Sequence, residues 1–248
     1  MEKEKIKQAA EMIEKADYPV VLTGAGISAE SGVPTFRGES GLWKKYDAEA
    51  AVSITGFRRD PEPFWNFAQE LLLENDVQPN SGHKVLAELE DLGIVKKVIT
   101  QNIDFLHQRA GSKEVLELHG TLNKATCLKC DKKYDWQDLV PIIKAGNVPE
   151  CDNCKSNKIK PDIVFFGERL PEGPLNQAWE AAERSDLMIV IGSSLAVYPV
   201  ASLPSVAKEN GGKLIYINAD SGQQDYLFDL IIKGKAGEIL PKMLKLIN

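Results

Sequence analysis

Several kinds of sequence feature are missing from this chain of 248 residues. It has no apolar run close to the roughly 20 residues that a membrane-spanning helix needs. It has no basic block either, and 30 basic against 36 acidic side chains leave a net charge of −6. The first absence disfavours a membrane partner. The second disfavours strong direct nucleic-acid binding, because a protein that binds duplex DNA normally carries a clustered basic face.

The motifs of two common catalytic classes are also absent. There is no Gly-x-Ser-x-Gly turn for a serine nucleophile and no Gly-x-x-x-x-Gly-Lys-Ser/Thr loop for phosphoryl transfer. Only three histidines are present, so acid–base catalysis has few candidate positions. An enzyme with this composition would rely on chemistry that a bound cofactor supplies.

All four cysteines fall into two pairs, Cys127-x-x-Cys130 and Cys151-x-x-Cys154. The first residues lead into a mixed-charge amphipathic helix rather than a signal peptide, so we expect a cytoplasmic protein whose thiols stay reduced. Two such pairs converge easily on one tetrahedral ion, and four thiolates favour a structural zinc with no open position for water. The alternative is two disulfides or unconnected thiols.

Apolar segments alternate with helical segments along most of the chain. Continuous apolar runs predict buried strands at 19–22, 95–100, 115–118, 187–191, 213–218 and 230–232, with a further β-rich run at 163–167. Helical spacing of apolar residues predicts helices between them. This order is typical of an α/β protein with a doubly wound parallel sheet, in which ligands bind beyond the carboxyl ends of the strands.

The first strand leads into a glycine-containing turn, Gly24-Ala25-Gly26. Glycine would let the backbone turn sharply here and bring bare N–H groups close to a ligand. Residues 28–31 can then open a short helix whose first N–H groups suit a pyrophosphate. The spacing is not the usual Gly-x-Gly-x-x-Gly, since the next glycine is Gly32, so an ordinary glycine turn is an equally open interpretation.

His119 is the best candidate for a general base. It follows an apolar strand, at a position where a side chain reaches the crevice beyond the strands, and the pKa of an unperturbed histidine lies near neutrality. A purely structural role for it is equally open. His83 falls in the first turn of a helix, where a structural role is favoured, and the role of His107 is left open.

Five short motifs occur in one order around the cysteine-containing insert, namely Gly24-Ala25-Gly26-Ile27-Ser28, Phe36-Arg37-Gly38, Thr100-Gln101-Asn102-Ile103-Asp104, Leu118-His119-Gly120 and Gly192-Ser193-Ser194. Together they resemble the sirtuins, which are NAD-dependent protein lysine deacylases. The likeness runs from about Val20 to Gly237, and residues 29–35 look most like the prokaryotic and mitochondrial branches.

The resemblance implies a set of residues for each part of the site. The catalytic residues would be His119, as general base, and Asn102, which would orient a water or the ribose. The NAD-binding residues would be Gly24, Ala25, Gly26, Ala29, Phe36, Arg37, Gln101, Asn102, Ile103, Asp104, Gly192, Ser193, Ser194, Asn218 and Ala236. An extended substrate peptide would be clamped by Val164, Phe165, Phe166, Gly167, Val197 and Tyr198. One structural zinc ion would be bound by Cys127, Cys130, Cys151 and Cys154.

The division into domains follows from the same likeness. We expect a Rossmann-like NAD-binding domain from residues 1–36, 81–122 and 160–248. Residues 37–80 would form a cofactor loop and helical insertion, and residues 123–159 a smaller zinc-binding module.

The implied activity is NAD-dependent protein lysine deacetylation, in which the acyl group moves from acyl-lysine to ADP-ribose and nicotinamide is released. An NAD-dependent protein ADP-ribosyltransferase and a zinc-ribbon binding module without catalysis stay open as alternatives. In the family branch that removes succinyl groups, a tyrosine and an arginine bind the acyl carboxylate. Ala68 and Leu71 stand at those places here, which predicts a preference for apolar acyl groups. The alternative is that Arg58 or Arg59 supplies the positive charge.

Overall fold

The structure is a computed structural model that describes residues 2–35, 47, 51–72, 77–222 and 224–247. Contacts divide the chain into two compact units. The sheet unit consists of Met1–Thr35, Gln78–Leu118 and Pro171–Asn248, and the cysteine unit consists of Phe36–Val77 and His119–Leu170. The domain ranges expected from the sequence cut the chain at other places and stay a prediction.

The elements follow one another as alternating strands and helices over much of the chain. The strands are β1 Pro19–Thr23, β2 Lys97–Thr100, β3 Val115–Glu117, β4 Gly120–Cys127, β5 Lys133–Asp135, β6 Ile159–Ile163, β7 Leu187–Ile191, β8 Lys213–Asn218 and β9 Leu230–Lys233. The described α-helices are α1 Glu2–Lys15, α2 Ile54–Arg59, α3 Glu62–Leu72, α4 Ser81–Asp91, α5 Leu106–Ala110, α6 Trp136–Lys144, α7 Glu172–Arg184, α8 Leu203–Glu209 and α9 Ala236–Leu244.

The sheet unit contains a six-stranded parallel sheet in the order β3-β2-β1-β7-β8-β9. The first three strands run outward from β1 in one direction and the last three run outward from β7 in the other. The strand order therefore reverses between β1 and β7, and open α/β sheets bind ligands at such a switch point. The doubly wound α/β fold predicted from the sequence is confirmed.

The central strands are buried on both faces, as continuous apolar runs require. All five residues of β1 and all five of β7 are buried. Helix α1 buries only Ile6, Ala9, Ala10 and Ile13, which recur at helical spacing on one face. Helix α4 begins because the Asn80 side chain accepts hydrogen bonds from the N–H groups of Gly82 and His83.

The cysteine unit contains a three-stranded antiparallel sheet in the order β5-β4-β6. Its interior is aromatic: Phe57 packs edge-on against Phe64 and Phe165, with ring centroids 5.7 and 5.4 Å apart. Trp65 stacks on Trp136 of α6 at 6.1 Å. In the described part of the chain, no helix is both long enough and apolar enough to cross a membrane.

Two local expectations from the sequence are wrong. The strand near the apolar run 163–167 lies earlier, at Ile159–Ile163, because those residues pair with β4. Only Phe166 of the later segment forms a β-bridge, with Ser53. The short helix after β1 begins at Ala25 rather than at residue 28 and is a 3-10 helix that ends before Gly32, whose φ is 91°.

Candidate active site

Two glycine turns, which follow β1 and β7, pack directly on each other in the sheet unit. Gly24 N donates a hydrogen bond to Ile191 O at 3.1 Å, and Gly26 N donates to Gly192 O at 2.8 Å. A Cβ atom on Gly26 would lie 2.6 Å from Gly192 Cα. The expectation that Gly24 and Gly26 present bare N–H groups is therefore wrong, since each N–H is used to join the turns.

Other backbone N–H groups at the same edge are left for a ligand. Within the described residues, the N–H groups of Ala25, Ser193 and Ser194 have no hydrogen-bond acceptor. They follow the carboxyl ends of β1 and β7, on either side of the switch point. Convergent backbone N–H groups form an anion-binding site, so this edge fits the pyrophosphate of a dinucleotide.

The hydroxyl of Ser28 is the centre of a buried polar cluster. Its proton is donated to Asp104 Oδ2 at 2.6 Å, while Asn102 Nδ2 donates to Ser28 Oγ at 3.1 Å. The other N–H of that Asn102 amide reaches Gly24 O at 3.2 Å. Both donors of the amide are thereby used, so its oxygen is the one group of the Asn102 side chain left to bind a ligand.

A second buried chain of hydrogen bonds lies beneath this cluster. Thr23 Oγ1 donates to Thr100 Oγ1 at 2.8 Å, and Thr100 Oγ1 also accepts the backbone N–H of Asn102 at 3.0 Å. Because the Thr23 proton is already used, His107 Nε2, 2.9 Å from Thr23 Oγ1, must be the donor in that pair. The last residues of β1 and β2 thus hold the Asn102 backbone in place.

His83 and His107 form a buried pair with ring centroids 4.9 Å apart. His83 Nε2 lies 3.3 Å from Ser28 Oγ, whose proton is donated elsewhere, so His83 is also protonated on Nε2. The Nδ1 atoms of both rings are buried without a partner. Burial lowers the pKa of His83 to about 4, although Asp104 opposes it. Burial and the adjacent His83 lower the pKa of His107 to about 3. Both rings are therefore neutral at physiological pH.

The carboxyl ends of β2, β7 and β8 are joined by a further set of polar contacts. Gln101 Nε2 donates to Ser193 Oγ at 2.7 Å, and Tyr216 Oη donates to Ser193 O at 2.8 Å. Asn218 Nδ2 donates in turn to Tyr216 Oη at 2.7 Å. Three candidate residues, Gln101, Ser193 and Asn218, are thus brought into one network.

The remaining cofactor candidates have varied environments. Ala29 and Ser194 are exposed, Ile103 is half-buried, and Ala236 is buried at the start of α9. Phe36 and Arg37 lie outside the described residues. The sequence predicted no role for Thr23 or for Thr100, although Thr100 opens one of the five motifs, and the role of His107 was left open. A polar residue at the last position of a buried apolar strand was the available signal for both threonines.

The general-base candidate and four of the six peptide-binding candidates belong to the cysteine unit, and the other two belong to the sheet unit. His119, in the cysteine unit, is half-buried directly before β4, and its carbonyl oxygen accepts Val164 N at 2.7 Å. Gly167 and Phe166 are exposed and Val164 is half-buried, whereas the Phe165 side chain is buried, so only the backbone of Phe165 can meet a peptide. Val197 is half-buried and Tyr198 is 70% exposed in the sheet unit.

The four cysteine sulfurs lie within 4.8 Å of one another. Cys127 Sγ is 3.6 Å from Cys154 Sγ, and Cys130 Sγ is 3.5 Å from Cys151 Sγ. A disulfide needs about 2.05 Å between sulfurs, whereas a tetrahedron of Zn–S bonds of about 2.3 Å places its sulfurs roughly 3.8 Å apart. The cysteines are therefore unpaired and fit one tetrahedral zinc ion.

The parallel sheet, its switch point and the free N–H groups define a nucleotide-binding α/β protein of the Rossmann type. A profile of the Sir2 family matches residues 24–199. The NAD-dependent protein deacylase 2 of Archaeoglobus fulgidus is 52% identical over 242 residues, which cover 98% of this chain and 96% of that protein. The chain belongs to the Sir2 family.

Two solved structures of Sir2 proteins are similar to this chain over nearly its whole length. One study of the mechanism and regulation of Sir2 enzymes gives a chain with a TM-score of 0.96 and 52% identity, covering 99% of this chain and 98% of that chain. A Sir2 complex with a p53 peptide and NAD+ gives a TM-score of 0.89 and 41% identity, with 97% of each chain covered.

Proposed function

We propose that this protein is an NAD-dependent protein lysine deacylase that acts on acyl-lysine peptides in the cytoplasm. The observation that carries the proposal is the near full-length identity of 52% to a protein named as an NAD-dependent deacylase. The polar cluster at the carboxyl ends of β1, β2 and β7 supplies the chemistry that such a reaction needs.

When bound, NAD would supply a ribose carbon that accepts the acyl group as nicotinamide leaves. The N–H groups of Ala25, Ser193 and Ser194 would hold its pyrophosphate. Asn102, whose amide orientation is fixed by Ser28 and Gly24, would present its oxygen to a ribose hydroxyl or a water. The Ser28–Asp104 contact keeps this cluster rigid, which lowers the cost of ordering it during the reaction.

His119 would act as the general base that takes a proton from a ribose hydroxyl, so that the acyl group ends on ADP-ribose. Val164, Phe166 and Gly167, with Val197 and Tyr198, would bind the peptide as an added strand. The zinc ion would be structural, because four thiolates leave no coordination position for water.

The test is to incubate the protein with NAD and an acetyl-lysine peptide and to identify the products by mass spectrometry. We expect deacetylated peptide, nicotinamide and O-acetyl-ADP-ribose in equal amounts. ADP-ribose attached to peptide or protein, with the acetyl group retained, would indicate the transferase instead.

The matched variant is His119→Ala. Loss of a general base should lower turnover at least about 100-fold, while NAD binding and the unfolding midpoint stay near those of the wild type. Turnover close to that of the wild type would remove His119 from the proposed mechanism.

A further inference from the structure

A cavity of about 430 Å³ lies in the cysteine unit beside the proposed peptide-binding segment, Val164–Gly167. Both ends of that segment, Val164 and Gly167, contribute to its wall. The other lining residues are Ile54, Arg58, Lys160, Asp162, Ile163, Glu168 and Arg169. Five of these carry charges, so the pairing of those charges decides what the cavity can bind.

Lys160 and Glu168 neutralise each other within the wall. Lys160 Nζ lies 2.9 Å from Glu168 Oε2 and also donates to the carbonyl oxygens of Pro161 and Ile163 at 3.0 and 2.6 Å. These three contacts use the three N–H groups of the ammonium. Glu168 Oε2 in turn accepts Phe165 N at 2.8 Å. This ion pair, in which the Lys160 side chain is buried and the Glu168 side chain is 25% exposed, therefore holds the segment in place and neutralises its own charges.

The second acidic side chain of the wall is engaged as well. Asp162 Oδ1 accepts the hydroxyl of Thr126 at 2.6 Å, and Asp162 Oδ2 lies 3.7 Å from Lys133 Nζ. Both carboxylates of the cavity are thus already occupied by groups of the same unit.

The two arginines differ from the other charged lining residues. Arg58 and Arg169 are exposed, and neither forms a hydrogen bond or ion pair with another described residue. Phe57, the residue before Arg58, is 1% exposed and packs against Phe165, so the backbone next to Arg58 is anchored in the interior of the unit. Two guanidinium groups at one cavity, neither paired within the described part of the chain, favour an anionic ligand, and a guanidinium group binds a carboxylate through two parallel hydrogen bonds.

We propose that this cavity binds the carboxylate of an aspartate or glutamate that flanks the acyl-lysine in the substrate peptide. This inference rests on the proposed function. A peptide strand beside Val164–Gly167 would turn every second side chain to the same face, which brings one flanking side chain to the cavity. Arg58 and Arg169 thereby determine which peptide sequences are preferred.

The experiment uses acetyl-lysine peptides that carry either glutamate or glutamine at one flanking position at a time. Two exposed ion pairs of ordinary strength should together give a KM roughly 2- to 30-fold lower for glutamate at one position. We expect kcat to be unchanged and the difference to shrink in high salt, because exposed charges are screened.

The variant Arg58→Glu with Arg169→Glu should reverse this preference. Arg59→Glu is the matched control, since Arg59 is an exposed neighbour on the same helix that does not line the cavity. We expect the control to keep the wild-type preference, while the glutamine peptides are turned over alike by all three proteins.

The outcomes separate this inference from the proposed function. If no acyl-lysine peptide is turned over, both fail. If all peptides are turned over and the double variant leaves the glutamate-to-glutamine ratio unchanged, the function stands and this inference is overturned. Succinyl-lysine peptides form a further arm: if the double variant changes the succinyl-to-acetyl ratio instead, the cavity binds the acyl carboxylate and the inference is again overturned.

Discussion

Replacing Gly192 with alanine tests the interlocked glycine turns. Gly192 has a φ of 62°, and a Cβ atom there would lie 2.3 Å from Ile27 N and 2.5 Å from Gly26 C. These neighbours are backbone atoms, so no side-chain rotation can relieve the overlap. The left-handed conformation costs about 1–2 kcal/mol, and overpacking adds about 1–3 kcal/mol.

We therefore expect Gly192→Ala to lower the free energy of unfolding by roughly 2–5 kcal/mol. For a chain of this size, that corresponds to a fall in Tm of about 5–15 °C. Thermal unfolding followed by circular dichroism measures the shift. NAD should also raise the Tm of the variant less than that of the wild type, because the turn next to Ser193 is displaced.

Two other glycines of the sheet unit separate the two costs. Gly211 has a φ of 90° but no atom within 4 Å of its Cβ position, so Gly211→Ala should show the conformational cost alone. Gly173 has neither feature, and Gly173→Ala should be neutral or stabilise by about 0.4–1 kcal/mol. If Gly192→Ala is no more destabilising than Gly211→Ala, the close packing of the two turns is refuted.

Two further predictions concern the metal and the buried histidines. Cys154→Ala should release zinc and lower the Tm, because three thiolates cannot close the site. The control is Lys129→Ala: Lys129 is exposed and lies between two ligands, so this variant should keep one zinc per chain in metal analysis. Between pH 6.5 and about 3, the unfolded chain binds a proton at His107 that the folded chain does not bind. The free energy of unfolding should therefore fall as the pH is lowered, by about 2 kcal/mol at pH 5. Denaturation at pH 7 and 5 should show a smaller loss in His107→Gln, and an equal loss would refute the buried neutral ring.

Some features were determined by the sequence because they depend on local spacing. The two cysteine pairs predicted one metal site, and the four sulfurs do converge. Apolar runs such as 187–191 predicted buried strands, because a strand covered on both faces has no polar position to offer. The resemblance to sirtuins was likewise carried by short motifs in order, and family membership is confirmed.

Other features were decided only by the tertiary structure, because they depend on which hydrogen-bond donors and acceptors pair with one another in the folded chain. The sequence predicted bare N–H groups at Gly24 and Gly26, yet Ile191 at the end of β7 and Gly192 in the turn after it accept both of them. The apolar run 163–167 resembled a strand, but pairing with β4 selected Ile159–Ile163 instead, even though that strand contains a lysine. Lys160 can be buried there because Glu168 and two carbonyl oxygens satisfy its ammonium. No local pattern reports the long-range partners of Gly24, Gly26 and β6, since these meet only when the chain has folded.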